Sequence, residues 1–268
     1  MYQDCKDNLG VCFTLKLLFS FFKLGYTMAP TFFDVLSYFF MIFPSYLFTL
    51  TFFGFFKAAT ATFLGDRTPE EEGFLTLNPL VHVDLINLLI RVAILLLLSA
   101  ALPGEITIPV IIMVLMFTNI REPIVVPINP DNFKNQKRSM ALTILAGPFG
   151  CFAFSFVVML IARFFPFGMF AGHVAKAVQQ LLQMSIEFSV YFGVLHLVPI
   201  SPLEGGQVLS LAFDGEGTVI EFLDQYGYFI LIFLFFFPVV SSYFMTTLYV
   251  VSLSIKMVLA KIAFFGAM

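Results

Sequence analysis

Long apolar runs broken by two polar loops organise the chain. A membrane-crossing helix needs about 20 apolar residues at about 1.5 Å of rise each. Thr31 to Leu64 meets that length with tilt, and carries Pro44 and Lys57 within it. Gly65 to Asp84 is polar, with Asp66, Arg67 and the run Glu70-Glu71-Glu72. Leu85 to Leu102 reads as a span interrupted by Arg91 and ended by Pro103-Gly104-Glu105. Ile106 to Met116 is short and β-branched, and fits a re-entrant segment, a short strand or a half-crossing. Thr118 to Arg138 is a second polar loop, rich in Pro and Asn.

Beyond it, Ser139 to Phe165 is a span, Pro166 to His173 a turn, and Ala175 to Leu197 a further span with Glu187 inside it. Pro199 and Pro202 break that helix, which resumes over Leu203 to Phe213. Asp214-Gly215-Glu216-Gly217 is a turn, and Tyr226 to Phe237 and Val239 to Phe265 are two last helices around Pro238. Ahead of all these, Val11 to Tyr26 is apolar but places Lys16 and Lys23 on one helical face, which suits a helix lying in the membrane interface. Residues 1–30 therefore form an N-terminal interfacial segment, and 31–268 one integral domain of about six membrane-embedded helices. No linker or internal repeat divides it.

Composition agrees with an all-α, polytopic helical bundle. Hydrophobic residues make up 60% of the 268 and charged residues 12%, against roughly 25% charged in soluble domains. Mean hydropathy is +0.96. A transmembrane barrel would alternate apolar and polar residues, which this chain does not. The net charge of −3 forms no basic stripe, so nucleic acid is excluded as a partner. Three cysteines, Cys5, Cys12 and Cys151, give an odd count without paired spacing and support neither a disulfide scaffold nor a Cys-based zinc site. There are 38 Phe and no Trp, which leaves interfacial anchoring to Tyr. Arg67, Arg121, Lys134, Lys137 and Arg138 all lie in or beside the two polar loops, so the positive-inside rule assigns 65–84 and 118–138 to the cytoplasm. That assignment puts the end of the first long helix and the Pro199–Pro202 break on one membrane side.

Five stretches, in order, resemble the site-2 protease family of intramembrane zinc metalloproteases. Leu64-Gly65-Asp66-Arg67-Thr68-Pro69 is similar to the family's loop after its zinc-binding helix. Leu75-Thr76-Leu77-Asn78-Pro79-Leu80-Val81-His82-Val83-Asp84 is similar to its LTLNPLxHxD stretch, and Val126 to Phe133, through Asn129, to its PVNPxNF turn. Ala146-Gly147-Pro148 matches its AGP at the start of the next helix, and Leu197-Val198-Pro199-Ile200-Ser201-Pro202-Leu203-Glu204-Gly205-Gly206 its LLPIPPLDGG. The resemblance covers about residues 31 to 265 and implies a site-2 protease-like transmembrane core.

It also implies where zinc chemistry would sit. The family's H-E-x-x-H places two His at i and i+4 on one helical face to bind zinc, with the Glu as base for the metal-bound water. Counted back from Leu64-Gly65-Asp66, that motif falls on Phe53-Gly54-Phe55-Phe56-Lys57. The first His becomes Phe53, the Glu becomes Gly54 and the second His becomes Lys57. The third ligand, an Asp, becomes Glu204, and the family's Asn after GP falls on Cys151. The expectation is an inactive member with no metal and no cofactor. Lys57 either snorkels to the interface or pairs with Glu204 in place of the metal. His82 is expected to cap or hydrogen-bond within its loop. His196 either packs or substitutes as a ligand with Glu204, and Gly205 and Gly206 allow a tight turn and close backbone approach.

The functional expectation is a pseudoprotease that serves as a membrane scaffold or complex subunit, its partners being the bilayer and other transmembrane helices. Two alternatives stay open. A working metalloprotease with a relocated site would use His82, His196 and Glu204. A transporter or channel would use the intramembrane Arg91, Lys57 and Glu187, although the chain lacks the inverted repeats common in such proteins.

Overall fold

The structure, a computed structural model, describes residues 32–83, 126–166, 169 and 172–264. The expected interfacial segment 1–30, the span Leu85–Leu102 with Arg91, the stretch 106–116 and Asp84 lie outside the described residues. Among the described residues every regular element is helical. Helix α1 spans Phe32–Leu64, followed by one-turn helices α2 (Thr68–Glu71) and α3 (Pro79–His82). A 3-10 turn at Pro130–Asn132 leads into α4 (Gln136–Phe164). Then come α5 (Gly172–His196), α6 (Glu204–Ala212), α7 (Thr218–Phe236) and α8 (Pro238–Phe264).

Four of these helices are long and apolar enough to cross a membrane: Phe43–Leu64 of α1, Gln136–Phe164, Thr218–Phe235 and Tyr243–Ala263. The molecule is a helical membrane protein. Helix α5, read from the sequence as a span, is not among the four. Lys176, Gln179, Gln180, Gln183 and Glu187 dilute its first half, and Gln183 Nε2 donates to Glu187 Oε1 at 3.2 Å there. Its buried residues run from Ser185 to His196, where it meets the core.

The helix ends have local causes. Asn135 starts α4 earlier than the apolar run suggested, because its side chain accepts from Arg138 N at 3.2 Å. The motif Ala146-Gly147-Pro148 sits inside α4 rather than at its start, with Pro148 buried. Helix α7 begins eight residues before the predicted Tyr226: Gly217 adopts φ 110° and its carbonyl accepts from Glu221 N, so Glu221 and Asp224 ride on an exposed helical face. Helix α8 opens on Pro238, a residue suited to a first helical position.

Helices α1, α4 and α5 form the central packing unit. Helices α1 and α4 run antiparallel, with the Phe48 and Phe154 rings stacked at 6.2 Å and Phe52 tilted on Phe154 at 5.0 Å. Their backbones approach closely at Gly150, where an added Cβ would stand 2.5 Å from Phe52 O. Helix α5 runs parallel to α1: Ser45 and Ser185 hydroxyls bond at 2.7 Å, and Tyr46 meets Phe188 edge-on. Helix α8 flanks this unit through a 2.8 Å bond from Tyr191 OH to Met245 Sδ, and α7 packs on α8 with Phe235 against Phe244. Arg163, in the last turn of α4, donates to Ala263 O and brings the ends of α4 and α8 together.

Asp66 fastens the other end. It is fully buried, and its carboxylate accepts from Thr68 N, Thr68 Oγ1, Asn129 N and Asn132 Nδ2 at 3.1, 2.6, 2.8 and 2.7 Å. The two polar loops are therefore pinned to one another. Lys137 adds an exposed pair with Asp214 at 2.9 Å, which draws the α6–α7 turn to the same end.

Candidate functional site

Lys57 lies on α1 two turns before Leu64 and is 6% exposed, so it does not reach out to the interface. Its Nζ lies 3.5 Å from Oε1 of Glu204, the first residue of α6, which is fully buried. The other carboxylate oxygen of Glu204 accepts from His196 Nδ1 at the end of α5. Three helices thus converge on one buried carboxylate. The α5–α6 break makes this possible: the chain turns back between Leu197 and Leu203, so His196 and Glu204 meet across eight residues. Pro199 is exposed on the outside of that turn, while Pro202 O accepts from Gln207 Nε2 at 2.9 Å.

Glycines let the break close. A Cβ on Gly205 would stand 2.3 Å from Leu197 O, and one on Gly206 2.2 Å from Ser201 N. Both distances are shorter than any real contact, so only glycine fits there. The backbone of α7 passes on the far side, where a Cβ on Gly227 would meet Ser201 O.

Phe53 completes the cluster. It is 1% exposed, its ring meets His196 at 5.2 Å and Phe192 at 5.9 Å, and Lys57 Nζ lies 5.4 Å from the ring centroid. Phe192 itself lies tilted against His196 at 4.2 Å. On the opposite side Gly147 leaves room for the ring, since a Cβ there would stand 2.7 Å from Phe53 Cζ. Cys151, one turn further along α4, is fully buried and backs onto Gly193 of α5. Gly54, Phe55 and Phe56 pack along the same stretch of α1, with Gly54 buried.

The arrangement does not fit zinc. Phe53 and Gly54 carry no donor atom, and the Lys57 ammonium stands beside the carboxylate where a cation would bind. Both oxygens of Glu204 are engaged. Among the described residues no group of three or more His, Cys, Asp and Glu is placed to hold a metal ion. His196 Nε2 is buried and, among the described residues, finds no hydrogen-bond partner, in keeping with its enclosure by Phe53 and Phe192.

The remaining sequence candidates lie apart from this cluster. His82 is buried in its own loop, where Nε2 donates to Thr76 O at 2.7 Å, and burial holds its imidazole below the ordinary histidine range despite that bond. It is remote in role from Glu204 and joins no ligand set. Asn129 acts through its backbone N–H on Asp66 and through its side chain, which accepts from Asp131 N. The sequence reading names Asp66 only as a loop and motif residue and misses its role as the structural hub. The signal for it was the Asp-x-Thr spacing, in which a carboxylate accepts the N–H and hydroxyl two residues on.

Comparison with known proteins gives a distant likeness. No family profile matches the chain, and no solved structure matches it. Over 180 residues, 66% of this chain and 71% of the other, it is 24% identical to the Bacillus subtilis (strain 168) protein named "Putative zinc metalloprotease YwhC".

Proposed function

We propose that the protein is a catalytically inactive homologue of site-2-type intramembrane metalloproteases, acting as a multi-pass membrane scaffold or complex subunit. The observation that carries this reading is the Lys57–Glu204 pair beside Phe53. At the positions where the family holds its metal, this chain puts an apolar ring and an ammonium group. The distant identity to a protein named as a zinc metalloprotease supports the ancestry. The loss of a base at Gly54 and of two ligands at Phe53 and Lys57 supports the inactivity, since water activation needs both a metal and a base.

In this reading the ion pair ties α1 to α6 in place of a shared metal. A buried pair need not add net stability, but breaking one partner leaves a costly lone charge, so the pair fixes which helices meet. The two polar loops, pinned together by Asp66, face the cytoplasm. The scaffold engages other transmembrane helices through its lipid-facing surface.

The test is a cleavage assay. Purified protein, reconstituted with labelled transmembrane helices and supplied with zinc, leaves them intact at a rate equal to that of E204Q. Chelator-sensitive cleavage abolished by E204Q would restore the relocated-site protease.

A further inference from the structure

The segment after the acidic run is built inside out for a loop in water. From Gly73 to Val83 the only titratable side chain is His82, which is buried. Leu75, Leu77 and Leu80 are instead 39%, 50% and 58% exposed. The polar groups between them are turned to local use. Thr76 Oγ1 accepts from Asn78 N, Thr76 O accepts from His82 Nε2, and the Asn78 side chain accepts from Leu80 N. A segment without a charged side chain whose leucines point outward suits an apolar surround.

Its position supplies that surround. Helix α3 packs against α1 rather than standing beyond its end. Val83, one residue further, packs against the core cluster. After the chain leaves α1 at Leu64, it therefore returns alongside the shaft of a helix that is itself apolar enough to cross a membrane. Phe63, in the last turn of α1, is 88% exposed and continues the same apolar character. The acidic residues Glu70, Glu71 and Glu72 precede the turn and are exposed as well.

We infer that residues 74–80 dip into the bilayer, with Leu75, Leu77 and Leu80 seated among lipid acyl chains at the end of the molecule pinned by Asp66. The occupant of this surface is lipid, and the inference stands independently of whether the protein cleaves anything.

The absence of tryptophan makes the test direct, because one introduced Trp is the sole indole in the chain. L75W, L77W and L80W are each reconstituted into phosphatidylcholine vesicles, alongside E71W as the control in the same loop. The expected result is blue-shifted emission from the three leucine positions, quenched several-fold more by lipids brominated on their acyl chains than is E71W, and little quenched by iodide. Three separate positions guard against one variant misfolding. Red-shifted emission with strong iodide quenching at all three overturns the inference and assigns the loop to water. Emission that is blue-shifted but insensitive to brominated lipid also overturns it. In that case, dependence on the protein-to-lipid ratio points to a second copy, and independence points to another part of the same chain.

Discussion

Removing the Lys57 ammonium tests the central cluster most sharply. At 3.5 Å and an effective dielectric constant of about 20, the attraction between Lys57 and Glu204 is about 5 kcal/mol. Both groups are buried, so desolvation has already offset most of that attraction, and the net worth of the intact pair is small. The cost of breaking it is not. In K57M the Glu204 carboxylate keeps only the His196 donor, and an uncompensated buried charge typically costs about 3–5 kcal/mol. E204Q strands the ammonium instead, while Gln still accepts from His196, and the expected loss is of the same order. The double variant K57M/E204Q removes both charges. It is expected to lie within about 1–2 kcal/mol of the parent, because a neutral pair needs no compensation. Unfolding followed by circular dichroism in mild detergent, as a double-mutant cycle, measures all four species. If the double variant loses the sum of the two single losses, the groups are not coupled and the pair is not the link between α1 and α6.

Three further outcomes follow from the geometry. G147A forces a Cβ to within 2.7 Å of the Phe53 ring and is expected to cost about 1–3 kcal/mol, relieved in part by F53L; G150A, which meets Phe52 backbone at 2.5 Å, is expected to resist any such relief. Asp66 is subject to burial, which raises its pKa, but bonds from Thr68, Asn132 and Asn129 outweigh this and hold the carboxyl below its usual value of 3.8. Its contribution to stability is therefore present above about pH 4 and lost as acid titrates the folded carboxylate. Limited proteolysis at residues 65–73 should rise there in the parent, while D66N is cleaved readily at neutral pH and shows no such step. His82 has its pKa lowered below 6.5 by burial, so its stabilising effect is present above that value and fades as pH falls through the folded pKa; an NMR signal assigned to His82 through H82N that titrates at or above 6.5 would contradict this.

Much of the architecture was legible because membrane helices advertise themselves by run length. The two polar loops, the break at Pro199–Pro202 and the helical class all follow from apolar periodicity and proline chemistry. The less legible features depend on what lies across a helix interface. Helix α5 is buried over its second half, which packs on α1 and α4, while Gln179, Gln180 and Gln183 dilute its first half, so run length marks Ala175–Leu197 less clearly than it marks α4. The start of α7 was missed because Glu221 and Asp224 sit on an exposed face, where polarity does not signal the end of a helix. In the candidate site, motif alignment and the same-side topology mark Lys57 and Glu204 as paired or parted, and distance is needed to choose. The role of His196 as a donor to the same carboxylate depends on the tightness of the 197–203 turn, which the glycines permit but sequence spacing does not measure.

Elemental analysis of the purified, detergent-solubilised protein tests the account most directly. Zinc is expected far below one atom per chain, unchanged after dialysis against zinc, because the Lys57 ammonium and the Phe53 ring stand beside the Glu204 carboxylate. Zinc retained near one atom per chain, and lost in E204Q, would contradict it.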